Sequence, residues 1–355
     1  MSGLNQGPPA GSSGRVNLTI VIPAFNEAER LEVGFDRLMG SAKDGAFDPE
    51  ATEIIVVDDG STDETASRAW GTFADFPLVR VHSLPANSGK GAAVRAGVRI
   101  ARGRLVAHMD ADMAIHPSQV AALTEALSSA DLAIGTRTEV EATSERVGVR
   151  SLMGRSFNLF VNGVTRVGLH DTQCGFKAFR TPVARLLFHL LTIERFAFDV
   201  QVVANARRLG FSIAEVPVHW QHVADSRVRL TRDPMAMIVD VLRTQVHAPA
   251  PPLVPAVSVA ARRPGIDAEA VATAVLDLSE RALALAVRRG QTTLVLLPLR
   301  SEEEVGAIGS SLGSIPGSVA RQMSVSGRQL ANLAPLVDTA WLRAETGAPR
   351  HLGSG

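Results

Sequence analysis

The sequence of 355 residues has a single cysteine, Cys174. One thiol can form neither an internal disulfide nor a cysteine-based zinc site, which excludes disulfide-stapled folds and points to a reducing compartment. The chain also lacks an excess of charge of either sign, because 36 Lys and Arg balance 36 Asp and Glu. A broad basic grip on phosphates needs such an excess, so nucleic acid is not an expected partner. No run of about 20 apolar residues is present, the length a spanning helix requires. The longest uncharged stretch, 244–261, is broken by prolines. Residues 1–15 lack the apolar core of a signal peptide and read as a flexible leader. These absences predict a cytoplasmic protein with no spanning helix. What remains is a globular composition, 46% hydrophobic and 20% charged, long enough for one large or two modest domains.

Between Val16 and His247, short β-branched runs alternate with segments of helical period, predicting an α/β domain with a mostly parallel sheet. Strands are expected at 16–22, 53–59, 78–82, 104–110 and 131–136, with helices at 27–38, 63–74, 91–101 and 117–127. The second half of this domain, about 146–246, reads as a helix at 151–164, a strand at 172–179, helices at 183–190 and 198–209, a strand at 212–219 and a helix from Asp233. Residues 248–264 hold five prolines and read as a semi-rigid linker. Beyond it, 265–345 reads as a small, α-rich α/β appendage, followed by a flexible tail at 346–355. Its helix over 267–289 ends at Gly290, a strand covers 292–299, and Ser301 with Glu304 caps a further helix. No catalytic motif is found there.

In open parallel sheets ligands bind at the carboxyl edge of the strands. Four polar signatures fall there: PAFNE (23–27), DDGSTD (58–63), NSGKG (87–91) and DAD (110–112). Asp110 and Asp112, on a continuing strand, would share one face about 7 Å apart and hold a hard divalent ion, Mg²⁺ or Mn²⁺. The alternative for this pair is an acidic turn before the next helix. Asp58 and Asp59 can accept hydrogen bonds from a base edge or a ribose, whereas Asp63 or Ser61 can cap the helix that follows. NSGKG fails as a Walker A loop at Leu84 and Gly91, and as a dinucleotide fingerprint at Val94. Lys90 can still reach a diphosphate from a helix N-terminus. His219 and His222 read as rim residues. Arg227 to Arg243 combines basic residues with an apolar stripe, suited either to packing on the domain or to peripheral contact with an anionic bilayer on the inner membrane face.

VIPAFNEAERL, IIVVDDGSTDET, NSGKGAAVRAGVRIARG, MDADM-I-HP, GTR and DTQCGFKAFR, in this order and spacing, resemble the family 2 glycosyltransferases of GT-A fold. Within these the resemblance is to the polyprenyl-phosphate sugar synthases, the dolichyl-phosphate mannosyl- and β-glucosyltransferase group. It covers about 16–246. The resemblance implies that Pro23, Phe25, Glu27, Asp58 or Asp59, Lys90 and Ala111 meet the nucleotide sugar, and that Asp110 and Asp112 hold the metal on its diphosphate. It implies that Arg137 and Arg150 meet an acceptor phosphate, with Asp171, Gln173 and Lys177 on the acceptor side; Arg227, which opens the basic amphipathic stretch, is a further acceptor-binding candidate. The wording DTQCGFK is closer to the glucosyl branch and favours UDP-glucose over a GDP-sugar.

Three positions depart from the family pattern. Ala114 stands where many relatives have a third metal ligand, Gly154 where a Ser is frequent near the acceptor, and Gln201 where a Glu is usual. The expected reaction is a single inverting displacement. A polyprenyl phosphate would be ionised already, whereas a soluble hydroxyl acceptor, such as a glycoside or natural product, would need Asp171 as general base. A non-catalytic sugar-nucleotide-binding module is the alternative outside enzymes.

Overall fold

The structure, a computed structural model, describes residues 16–139, 157–195, 197–220 and 237–242, together with six strand segments beyond residue 252. Its chain forms two compact units, the first made of Met1–Thr181, Leu191–Arg207 and Ser212–Ala248.

The first unit is built on a seven-stranded sheet. Its elements begin β1 (Leu18–Ala24), α1 (Arg30–Lys43), β2 (Thr52–Asp58), α2 (Thr65–Phe73), β3 (Val79–Ser83), α3 (Lys90–Ile100) and β4 (Leu105–His108). They continue with α4 (Val120–Ala126), β5 (Leu132–Glu139), α5 (157–165), β6 (Lys177–Arg180), α7 (Phe198–Arg208) and β7 (Ile213–Trp220), while α6 (Thr181–His189), which follows β6 in the chain, is counted almost entirely with the second unit. Every residue of β1 and β2 is buried. Strands covered by helices on both faces read as unbroken apolar runs, which is why LTIVIPA and TEIIVVD were legible. The edge strand β3 is half-exposed.

The spatial order is β3-β2-β1-β4-β6-β5-β7. Strands β1 to β4 are mutually parallel where they pair, and so are β5 and β7. The exception is β6, which runs antiparallel to both of its neighbours, β4 and β5. A reversed strand begins at the edge where its neighbours end. The segment before β6, carrying DTQCG, is thereby delivered to the carboxyl edge, and Lys177 stands opposite His108 at the end of β4.

Beyond residue 252 the described segments form an antiparallel six-stranded sheet, in the order β11-β8-β10-β9-β12-β13. These are β8 (Leu253–Ala261), β9 (Leu283–Arg289), β10 (Thr292–Pro298), β11 (Ser318–Ser326), β12 (Val337–Arg343) and β13 (Pro349–Ser354). This corrects three expectations: the linker contains a strand, the end of the helix expected over 267–289 is a strand, and the described part of the extension is β rather than α-rich. Strands β9 and β10 are separated by two residues, of which the first is Gly290, a hairpin spacing that also reads as a helix stop. Pro255 is tolerated because it pairs only with β11, whereas β10 pairs with β8 from Ala256 onward.

Candidate active site

At the carboxyl edge the first two loops interlock. Asn26 adopts a left-handed conformation (φ 54°). Its N–H donates to Ser61 Oγ at 2.9 Å, its Oδ1 accepts from Thr62 N at 2.8 Å, and Glu27 N donates to Thr65 Oγ1 at 2.8 Å. The result is a joint floor from PAFNE and DDGSTD, on which Phe25 stands 36% exposed. Pro23 is buried inside β1, and the Glu27 carboxylate pairs with Arg30 at 3.2 Å.

The two aspartates of DDG have separate employments. Asp59 accepts from Ser88 N and Gly89 N, both at 2.8 Å, and from Asn87 Nδ2 at 3.2 Å. It is therefore committed to holding the NSGKG loop rather than facing a nucleoside, and burial raises its carboxyl above the usual range. Asp58 accepts from Ser61 N at 3.0 Å through Oδ1, and among the described residues its Oδ2 has no hydrogen bond. Asp58 is the carboxylate left available.

Gly89 precedes α3 with φ 103°, and a Cβ there would lie 2.5 Å from the Glu194 carbonyl oxygen. Only glycine fits that position. The same carbonyl accepts from Ala92 N at 3.1 Å, so the protein itself engages part of the α3 N-terminus. What the loop presents to the site is the Lys90 side chain.

Strand β4 ends at His108, and DADM is a turn rather than a continued strand, closed by Met113 N donating to Asp110 O at 3.0 Å with Met113 at φ 46°. The Asp110 carboxylate lies against Gly175, where a Cβ would approach Oδ2 to 2.7 Å and Oδ1 to 2.8 Å. The glycine of DTQCG thus makes room for the first aspartate of DAD. Lys90 Nζ contacts Asp110 Oδ1 at 2.5 Å. Burial alone would lower the Lys90 ammonium, yet Asp110, and after it Asp199, hold it above the ordinary lysine value. Burial and then the neighbouring charge of Asp110 raise the Asp112 carboxyl. A partly exposed carboxylate beside a buried one suits a hard divalent ion. Among the described residues no three His, Cys, Asp or Glu side chains gather around one point, so the pair would share such an ion with ligand oxygens and water.

Beneath this turn lies a charge layer in which the sequence singles out neither Asp199 nor His108. Lys177, 0% exposed, donates to Asp199 Oδ1 at 2.6 Å and to Cys174 O at 2.5 Å. Lys177 therefore does not face an acceptor, which corrects its assignment: a buried ammonium needs a paired anion, and Asp199 supplies it. Burial, then Lys177 and Lys90, keep His108 neutral, well below the ordinary histidine value. Burial, and then Asp171, push the Cys174 thiol up to about 12.

On the acceptor side Arg137 grips Asp171 with two bonds, Nε to Oδ2 at 2.6 Å and Nη2 to Oδ1 at 3.0 Å. Asp171 also accepts from Arg137 N at 3.4 Å and Gln173 N at 3.2 Å. Helix α5 fixes this loop: Asn158 donates to Leu169 O and His170 O and accepts from Thr172, and Asn162 exchanges two bonds with Leu169. Both asparagines sit one turn apart on one helix face, a spacing visible in the sequence once the loop they hold is known.

Gln201 accepts from Thr192 N at 3.0 Å and Ile193 N at 2.9 Å and donates to Thr192 Oγ1 at 2.9 Å, so a neutral amide does the loop-holding work at the position where a Glu is usual. His219 is an exposed rim residue whose backbone pairs with Gln119. Arg150, Gly154, His222 and Arg227 lie outside the described residues. Of the segment 227–243, residues 237–242 are helical, with Val241 buried and Val239 and Leu242 exposed.

A parallel sheet whose carboxyl edge gathers acidic and basic side chains suits a nucleoside diphosphate with a hard cation. Comparison with known proteins identifies the family and the fold. The family described as Glycosyl transferase family 2 matches residues 19–188. A Trichomonas vaginalis dolichyl-phosphate beta-glucosyltransferase is 32% identical over 250 residues, 68% of this chain and 74% of that one. The Dictyostelium discoideum dolichyl-phosphate beta-glucosyltransferase is 33% identical over 243 residues, 64% of this chain and 73% of that one. The Homo sapiens enzyme of the same name is 35% identical over 234 residues, 62% and 72% respectively. Glucosyl-3-phosphoglycerate synthase from Mycobacterium tuberculosis, solved with phosphoglyceric acid, shares the fold at a TM-score of 0.50 and 24% identity, over 66% of this chain and 80% of that one. The chain belongs to the family 2 glycosyltransferases, and its first unit has the GT-A fold. No helix among the described residues is long and apolar enough to cross a membrane.

Proposed function

We propose that this enzyme transfers a hexose, glucose in the first instance, from a UDP-sugar to a polyprenyl phosphate, with inversion at the anomeric carbon. The observation that supports this reading is the meeting of DAD and DTQCG at Asp110 and Gly175, which brings the Asp110–Asp112 turn and the Arg137–Asp171 pair to one sheet edge. The names of the relatives support glucose as the sugar and a polyprenyl phosphate as the acceptor.

Phe25 offers an exposed ring face to the base, and Asp58 Oδ2 accepts from the base edge or ribose. Asp110 and Asp112 would hold Mg²⁺ or Mn²⁺, which neutralises the diphosphate and stabilises charge on the departing nucleotide. Among the described residues Arg137 Nη1 has no hydrogen bond and is left for an acceptor oxygen, while Asp171 fixes the guanidinium plane; Arg150 and Arg227 are further candidates for that phosphate. Asp171 accepts from three Arg137 nitrogens and from Gln173, which disfavours it as a general base for an alcohol. A phosphate monoester, whose second pKa is about 6, brings its own nucleophilic charge and needs no such base.

The test is transfer of labelled sugar from UDP-glucose, UDP-N-acetylglucosamine and GDP-mannose to a short-chain polyprenyl phosphate in detergent. Label should enter the organic phase from UDP-glucose, vanish with EDTA and fall sharply in Arg137→Gln. Metal-dependent hydrolysis of UDP-glucose with no lipid product would overturn the phosphate acceptor in favour of a hydroxyl one.

A further inference from the structure

The NSGKG loop is held by a segment that no step of the proposed reaction uses. Residues 191–195 pack against the start of α3, where the Glu194 carbonyl oxygen accepts from Ala92 N at 3.1 Å. The fit leaves no slack. A Cβ on Gly89 would come within 2.5 Å of that oxygen, and one on Gly91 within 2.9 Å of it and 2.7 Å of Phe198 Cβ. Lys90 stands between these two glycines. The place of its ammonium beside Asp110 is therefore set by the place of the Glu194 carbonyl.

Two anchors from different helices fix that carbonyl. From α7, Gln201 Oε1 accepts from Thr192 N at 3.0 Å and Ile193 N at 2.9 Å, while its Nε2 donates to Thr192 Oγ1 at 2.9 Å. One amide thus sets the peptide planes on both sides of Thr192, and a single residue, Ile193, separates Thr192 from Glu194. From α3, Arg95 Nη2 meets the Glu194 carboxylate at 2.6 Å, but that carboxylate is 49% exposed, so the pair contributes little. The Gln201 anchor is 2% exposed and dominates. We infer that Gln201 is a positioning residue for the sugar donor: through residues 192–194 it fixes the NSGKG loop, and with it the Lys90 ammonium that meets the nucleotide diphosphate. The acceptor side is held separately, by Asn158 and Asn162 of α5, so the effect of Gln201 falls on the donor alone. The inference rests on the reading of this sheet edge as a nucleotide-sugar site.

The experiment is calorimetric titration of the full chain with UDP and with GDP in the presence of Mn²⁺, in the wild type, Gln201→Leu, Gln201→Glu and Arg95→Met, alongside the KM values for UDP-glucose and polyprenyl phosphate. Gln201→Leu should weaken nucleotide binding and raise the KM for UDP-glucose about tenfold while leaving the KM for polyprenyl phosphate unchanged. A glutamate can accept both N–H groups on one oxygen and the Thr192 hydroxyl on the other, so Gln201→Glu should rescue the affinity. Arg95→Met changes a partly exposed side chain that the fold can spare, and should weaken nucleotide binding about two- to threefold. An unchanged nucleotide Kd in Gln201→Leu would overturn the inference, and so would equal rises in both KM values, the mark of general loosening. Should Gln201→Leu fail to fold, an unchanged Kd in Arg95→Met overturns it instead. Failure of the wild type to bind either nucleotide would overturn the donor site itself, and the role of Gln201 with it.

Discussion

The two edges of the seven-stranded sheet treat buried charge in opposite ways. At the amino edge Glu53 is 2% exposed and fully partnered. It accepts from Thr19 Oγ1 at 2.9 Å, Arg102 N at 2.9 Å and Arg80 Nη1 at 3.1 Å, and Thr19 Oγ1 in turn accepts from Gly103 N at 2.9 Å. At the carboxyl edge the Asp112 carboxyl is raised by burial and then by the charge of Asp110, and Asn26 and Met113 sit in the left-handed region. The first edge uses charge to close the fold. The second leaves Asp112, among the described residues, with one backbone hydrogen bond from Ala114 N and no ion pair, the condition in which a ligand supplies what the protein does not.

The contrast is sharpest in a pair of carboxylate-to-amide changes. Asp112→Asn should reduce sugar transfer about a thousandfold, the several kcal/mol that metal-assisted charge stabilisation contributes. Its urea midpoint should stay level or rise, because a like-charge neighbour has gone. Glu53→Gln should do the reverse, costing about 3 kcal/mol of stability by leaving the half-buried Arg80 without its anion, while the folded fraction keeps its activity. Equal stability losses at both edges would break the comparison.

A smaller effect is expected at Gly175→Ala. The new Cβ must push the Asp110 carboxylate aside, so Mn²⁺ affinity should fall about 10- to 100-fold with little change in UDP binding in the absence of metal. Calorimetric titration separates the two.

The smallest concerns Cys174. Its thiol is raised from 9.0 to about 12, so the thiolate is scarce in the native protein and alkylation at pH 8 should be slow until urea is added. The linkage has a definite sign. A thiol whose folded pKa exceeds its unfolded value contributes stability that is complete below pH 9.0 and fades as the pH rises toward 12. The alkaline loss of melting temperature should therefore be shallower in Cys174→Ala.

Much of the first unit was legible because its evidence is local. LTIVIPA and TEIIVVD are buried on both faces and carry unbroken apolar runs, and the polar clusters that follow them fall at strand ends. Roles that depend on distant partners were not legible. Asp58 and Asp59 are adjacent and chemically identical, yet one clamps a loop 28 to 30 residues away and the other keeps an oxygen open. Lys177 lies in a motif of polar and small residues that suggests a surface, and the sheet buries it against Asp199, 22 residues later. Beyond residue 252, Leu- and Ala-rich segments carry both helical and alternating patterns. Which one is realised depends on strand partners such as β8 and β11, whose pairing joins segments about sixty residues apart.

The sequence by itself determined the α/β class, the succession of the first strands along the chain and the chemical inventory of the carboxyl edge: two aspartate pairs, a lysine at a helix start and an arginine near the end of β5. Only the tertiary structure decided that β6 runs backward. A strand's side chains alternate identically in either direction, so KAFR carries no mark of its sense. Its reversal between β4 and β5 brings Gly175 onto Asp110 and sets Lys177 beneath the site, a juxtaposition of residues 65 apart that no local signal encodes.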